Sequence, residues 1–177
     1  MGIENSVDMH KDFFDRCELA INNKFYIEAI TMEYAAIESR LESICGRIGL
    51  PCGQKCACRK DILISSRIRC INDFWNRNKE IIARSKISHD FFSDKGILKS
   101  WIGKRDIIIH GLYKNATEYR NRIRTSRDIA ERGYEYARLL YNEANRLGRL
   151  RTNHNEVFEN AITKCKNPKC KANKKEK

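Results

Sequence analysis

Seven apolar residues near the start of this chain, Ile27, Ile30, Tyr34, Ile37, Leu41, Ile44 and Ile48, follow one another in alternating steps of three and four. That spacing keeps one face of a 3.6-residue repeat apolar, and it predicts a long helix, beginning near Phe25, packed in a helical bundle. Gly49, Pro51 and Gly53 stop the helix and open a loop that runs to about Lys60. No alternation of two-residue period persists anywhere, so the pattern provides no material for a sheet. Both prolines, at 51 and 168, fall outside the helical stretches.

Around this helix the remaining apolar residues predict further helices. Val7 to Asn23 shows one apolar face in Phe13, Phe14, Cys17 and Ile21, with Ser6 or Asp8 as its expected cap. Ile62 to Ile71 reads as a shorter helix. Asp73 to Ser88 reads as a separate helical or irregular segment with Phe74, Trp75, Ile81 and Ile82 to bury. Ser93 or Asp94 is expected to cap a helix that carries Ile97, Leu98, Trp101 and Ile102 and ends at Gly111. Ile107, Ile108 and Ile109 are β-branched and by themselves suit a strand, but no partner strand exists, so they are read as helical. Thr125 to Leu150 forms the last helix, its face marked by Ile129, Gly133, Tyr136, Leu140, Ala144 and Leu147. The expected fold is all-α, an antiparallel up-and-down helical bundle over residues 1–152, followed by a flexible, basic, cysteine-containing tail over 153–177.

Charge narrows the partners. Residues 1–48 carry nine acids against five bases, a local balance of −4, so the remainder sums to +16 within a net charge of +12. A polyanion is the expected partner, and nucleic acid ranks ahead of an acidic membrane because no strongly apolar helix face accompanies the basic residues. The apolar runs are too short to span a bilayer, and the N-terminus is acidic and polar where a signal peptide would be basic and then apolar. A soluble, cytoplasmic protein is expected.

The chemistry concentrates in Lys104-Arg105-Asp106-Ile107-Ile108-Ile109-His110-Gly111-Leu112-Tyr113. Arg105 is permanently charged and can grip a phosphate at two points, whereas His110 exchanges protons near neutral pH. Asp106 stands four residues before His110, where on a helix its carboxylate can orient the imidazole. The alternative for the same residues is structural: a buried histidine satisfied by a carbonyl, with Arg105 paired to Asp106 or to another acid. His10, His89 and His154 lie in polar surroundings and are read as surface residues.

An arginine, an aspartate, three apolar residues and His-Gly, late in a helical chain and ahead of a long final helix, resemble the HEPN family of helical ribonucleases and nucleotide-binding proteins. Arg105, Asp106 and His110 match that family's motif in its four-residue-gap form. The segment Glu33-Tyr34-Ala35-Ala36-Ile37-Glu38-Ser39-Arg40-Leu41-Glu42 also looks like the family's long helix. The resemblance implies a homodimer with a composite active site, a toxin or abortive-infection setting, and a possible antitoxin or immunity partner. In one branch of the family a tyrosine two residues after the histidine is modified by a nucleotidyltransferase antitoxin. Here Leu112 stands at that place and Tyr113 one place later, so Tyr113 is taken as a base-stacking or cleft residue.

RNA carries its own nucleophile, the 2′-hydroxyl, so cleavage needs a base, an acid and positive charge on the pentacoordinate phosphate, with no obligatory metal or other cofactor. His110 would move protons and Arg105 would stabilise the transition state. DNA lacks the internal nucleophile, and no clustered carboxylates stand ready for a pair of magnesium ions. One histidine per chain leaves a proton transfer unassigned, which a two-fold dimer with apposed motifs would supply. Lys104 and Lys114 would extend the positive cleft around flexible single-stranded or looped RNA, and the products would end in a 2′,3′-cyclic phosphate. The alternative is a non-catalytic helical module that binds RNA, a nucleotide or a protein partner. A DNA-binding regulator has no recognition helix in this sequence.

Eight cysteines complete the inventory. Cys17, Cys45 and Cys70 fall within helical patterns and are expected at or near the core as free thiols. Cys52, Cys56 and Cys58 lie in the Gly-Pro loop, and Cys165 and Cys170 in the tail. Free reduced thiols are the leading reading there. If the two ends meet, Cys52, Cys56, Cys165 and Cys170 would make a structural zinc site, although their spacing is irregular for one. The tail from Lys164 holds seven lysines and would raise affinity for any polyanion. Arg120, Arg122, Arg124 and Arg127 form a second basic group, either a solvated helix face paired with Asp128 and Glu131 or a direct RNA contact.

Overall fold

The computed structural model describes residues 4–49, 64–111, 116–154 and 158, with backbone alone for 4–9 and 116–119. Among these residues are six α-helices and no strand: α1 (Glu4–Asn22), α2 (Tyr26–Arg47), α3 (Ile64–Arg77), α4 (Lys79–Ile82), α5 (Ile97–Gly111) and α6 (Ala116–Asn153), with a 3-10 turn at His89–Phe92 before α5. The three consecutive isoleucines of α5 are helical. No helix among the described residues is long and apolar enough to cross a membrane.

Helix ends follow local chemistry. At the end of α1, Phe25 N donates to Ala20 O and Lys24 N to Ile21 O, the paired bonds of a Schellman cap, with Lys24 at φ 64°. Glycine is the usual residue at that left-handed position, and an L side chain costs about 1–2 kcal/mol there. At the end of α2 the corresponding residue is Gly49, at φ 70°, where the sequence places the stop. Between the two caps Ile30, Ile37, Leu41, Ile44 and Ile48 are fully buried, while Ile27 and Tyr34 of the same seam are half-buried.

Four boundaries differ from the expectation. α1 begins at Glu4, so Ser6 and Asp8 lie inside the helix rather than capping it. α3 runs unbroken past Ile71, because Ile68, Ile71, Phe74 and Trp75 form one buried stripe and nothing interrupts it until Asn78. There the Asn78 side-chain amide donates to Phe74 O at 2.9 Å and the helix stops. α5 starts at Ile97, which leaves Ser93 and Asp94 in the preceding turn. Ser93 Oγ donates to Asp90 O at 3.2 Å, and Asp94 pairs with Lys99. Gly96 fits that turn because a Cβ would collide with Asp90 O. α6 also extends well upstream of Thr125, taking Arg120, Arg122 and Arg124 into the helix.

The chain divides into two compact units, one of Met1–Ile37 with Ser100–Arg138 and one of Glu38–Lys99 with Leu139–Lys177. α2 and α6 each contribute to both. The first unit buries Cys17, Ala29, Ile30, Ile37, Trp101, Ile108, Ile129, Ala130 and Ala137. The second buries Leu41, Ile44, Ile48, Leu140, Ala144 and Leu147 together with an aromatic cluster, in which Trp75 meets Phe92 edge-on at 5.3 Å and Phe92 meets Phe91 at 5.1 Å. Cys17 and Cys45 are buried free thiols and Cys70 is half-buried, as their helical positions indicate. The segment from 153 onward lies largely outside the described residues; Phe158 within it is buried.

One polar pair is enclosed in the second unit. Glu143, 3% exposed, receives two bonds from the Arg146 guanidinium, at 2.6 and 2.9 Å, and Arg146 also donates to Ile81 O at 3.0 Å. Removing the guanidinium strands a buried carboxylate, so Arg146→Ala is expected to cost about 3–5 kcal/mol in urea unfolding. Lys24→Gly relieves the left-handed lysine and is expected to raise stability by about 1 kcal/mol in the same measurement.

Candidate functional site

α5 is set in rotation by its apolar residues. Trp101 is buried and its indole N–H donates to Ile129 O at 2.8 Å, while Ile108, two turns on, is 4% exposed. With those two side chains turned inward, Ser100, Gly103, Lys104, Ile107 and His110 all face outward. A Cβ added to Gly103 would meet open space, and Ile107 is 65% exposed.

Arg105 lies four residues after Trp101 and shares its covered side. Its side chain is 16% exposed, its guanidinium lies over the ring of Tyr34 at 4.1 Å, and Nη1 donates to Asp106 Oδ1 at 2.8 Å. Arg105 Nε is buried and has no hydrogen-bond partner. Five helical residues turn through about 140° net, so Arg105 and His110 leave the helix on different sides. Asp106 is brought to Arg105, and no hydrogen bond among the described residues links it to His110. Lys104 is exposed. Tyr113 and Lys114 lie outside the described residues.

A second guanidinium reaches the same end of α5. Arg122, from α6, donates to Ile107 O and occupies the space where a Cβ on Gly111 would stand. The glycine after His110 therefore has a steric reason, and it brings a cation from a different helix to the residue beside the imidazole. Sequence spacing gave no pointer to Arg122 over its neighbours. Arg120 and Arg124 are exposed, and Arg127 pairs with Glu131 at 2.7 Å.

Behind Tyr34 lies the least expected group of this unit. Glu33 is fully buried, and neither carboxyl oxygen has a hydrogen-bond partner. Gly133 of α6 makes the room, since a Cβ there would meet the Glu33 carboxyl and the Trp101 ring. Burial pushes the Glu33 pKa up to about 9, so the group is a neutral acid at pH 7. Burial, and then the charge that Glu33 would carry, push the Cys17 thiol up to about 12. The readable signal was position: Glu33 stands between Ile30 and Ile37, in steps of three and four, on the buried side of α2.

Among the described residues no group of three His, Cys, Asp or Glu is placed to hold a metal ion. Cys52, Cys56, Cys58, Cys165 and Cys170 lie outside those residues. In comparisons with known proteins no family model matches the chain, and no similar curated protein or solved structure is found.

The buried acid makes stability depend on pH, and the sign follows from its raised pKa. Below about pH 4.5 folded and unfolded chains both hold the proton. Between there and about 9 only the unfolded chain releases it, so stability falls as pH rises, and above about 9 the fall ends. At neutral pH the cost is of order 3 kcal/mol. Glu33→Met is therefore expected to gain several kcal/mol over the parent in urea unfolding at pH 8 and far less at pH 5. An equal gain at both values would show that Glu33 does not titrate as a buried acid.

Proposed function

We propose that this protein is a metal-independent endoribonuclease of the HEPN type that works as a homodimer with a composite active site. The observation that carries this reading is the outward face of α5, where exposed His110 lies beside Ile107, 65% exposed, and Gly103 leaves room for close approach of another helix. A large aliphatic side chain in water next to a reactive imidazole favours cover by a partner. A second copy brought up by a two-fold axis presents the same face and a second histidine.

In that cleft one His110 removes the proton of the ribose 2′-hydroxyl, and the other protonates the departing 5′-oxygen. Each transfer contributes about a hundred- to ten-thousand-fold. Arg122 and Lys104 supply positive charge to the phosphorane, and Arg105 joins them only by leaving the Tyr34 ring. Asp106 holds Arg105 in place. The substrate is single-stranded or looped RNA, since in-line attack needs a backbone that can bend. The motif's resemblance to the family and the +16 balance after residue 48 support the same reading. A toxin or defence role, with an antitoxin or immunity partner, rests on the resemblance alone.

A second reading, a non-catalytic HEPN-like module that binds RNA, a nucleotide or a protein, is favoured by Arg105 being committed to Tyr34 and Asp106 within one chain. Incubation with generic RNA in EDTA separates the two. Cleavage is expected to persist in EDTA, to leave 2′,3′-cyclic phosphate ends, and to fall by about a hundredfold or more in His110→Ala. Arg122→Ala is expected to slow cleavage while leaving the Tyr34–Arg105 packing in place. Ile107→Glu is expected to yield a monomer by light scattering and to lose activity with the dimer. Intact RNA with the parent protein, bound or unbound, would overturn the enzyme.

A further inference from the structure

The second unit contains an open cleft of about 460 Å³ lined by Gly46, Arg47, Gly148, Arg151 and Thr152. Two glycines on α2 and α6 keep its walls low, and Arg47 lies across Gly148 in the space a Cβ would fill. The cleft carries two guanidinium groups and, among the described residues, no carboxylate within ion-pair distance of either. Arg16, Arg67, Arg77, Arg105, Arg127 and Arg146 each have such a partner.

The donors that remain are the relevant ones. Arg47 Nε donates to Ser43 Oγ at 3.2 Å, which leaves both terminal amino groups uncommitted to any described acceptor. Arg151 Nη1 donates to Gly46 O at 2.8 Å and Arg47 O at 3.0 Å, so it covers the carbonyl end of α2 that would otherwise repel an anion. Its other nitrogens have no acceptor among the described residues. Arg40, stacked over Tyr141 at 5.8 Å, lies near enough to Arg47 for their charges to interact, so the positive potential is wider than the cleft. Thr152 adds a hydroxyl, whose hydrogen is given to Gly148 O at 3.0 Å and whose lone pairs face no described donor.

We infer that the Arg47–Arg151 cleft binds the phosphoryl group of a phosphate ester. Planar guanidinium forks match phosphate oxygens two at a time, and the volume falls within the range of nucleotide-sized ligands. Among the described residues no aromatic ring lines the cleft, so recognition goes to the phosphate and not to a base. The phosphoryl group can come from a free mononucleotide or from the backbone of RNA. The inference does not depend on the cleavage chemistry assigned to His110.

Calorimetric titration of the full chain with adenosine 5′-monophosphate tests it, with His110→Ala protein and a short single-stranded RNA as a second arm so that cleavage does not intervene. Binding is expected to weaken with added salt and to fall about tenfold or more in Arg47→Gln. Arg47→Gln is chosen because Arg151 also holds the end of α2; a matching thermal melt shows that the fold is kept. Loss of both ligands in Arg47→Gln identifies a site that takes backbone phosphate, and loss of the nucleotide alone identifies a free-nucleotide site. Unchanged affinity for both ligands in Arg47→Gln, or no binding of either by the parent cleft, would overturn the inference. RNA cleavage by the parent protein would be untouched by that result.

Discussion

Helix α2 is apolar along one side for its whole length, and because it belongs to both compact units, both cores are assembled on it. Ile30 and Ile37 are buried in one unit and Leu41, Ile44 and Ile48 in the other. Fully burying side chains of this kind contributes about 1.5–3 kcal/mol each. A single interruption of the seam would therefore cost more than any one surface interaction in the molecule. α6 has the same double membership, with Ile129, Ala130 and Ala137 serving one core and Leu140, Ala144 and Leu147 the other.

Within that apolar frame each unit holds buried polar groups, and the most deeply buried carboxyl of each is handled differently. In the second, Glu143 and Arg146 satisfy one another and reach Ile81 O, so the pair costs little once made. In the first, Glu33 has no hydrogen-bond partner and stays neutral by retaining its proton, while Arg105, on a neighbouring side chain's ring, keeps one buried N–H unsatisfied. Unsatisfied groups of this sort cost about 1–3 kcal/mol. They occur in both units, at Glu33 and Arg105 in the first and at Arg67 Nε and Trp75 Nε1 in the second.

The rotation of α5 decides what this site can do. Trp101, held by Ile129 O, and Ile108 turn one side of the helix inward, which leaves Arg105 over Tyr34 and sends His110 into solvent. One chain by itself thus presents an imidazole and, from α6, the Arg122 guanidinium against Gly111. Ile107 and His110 are exposed on that outward face, and Arg122, fifteen residues after Ile107, reaches the Ile107 carbonyl from α6.

Periodicity determined the helical class, the extent of α2 and the burial of Cys17 and Cys45, Gly49 marked the stop of α2, and the lack of a partner strand settled the helical state of Ile107 to Ile109. Where α1 and α3 begin or break was less legible, since a polar residue ends a helix only when the buried stripe beside it ends too, as it does at Asn78. The chemical residues Arg105, Asp106 and His110 were visible as a motif, but which of them face each other was not. That depends on contacts between helices: Trp101 against α6 sets the turn of α5, Tyr34 takes Arg105, and Gly111 and Gly133 admit Arg122 and Glu33. Sequence specified each helix's own faces, and only the tertiary structure decided which face met which, because close packing between helices is fixed by side chains far apart in the chain.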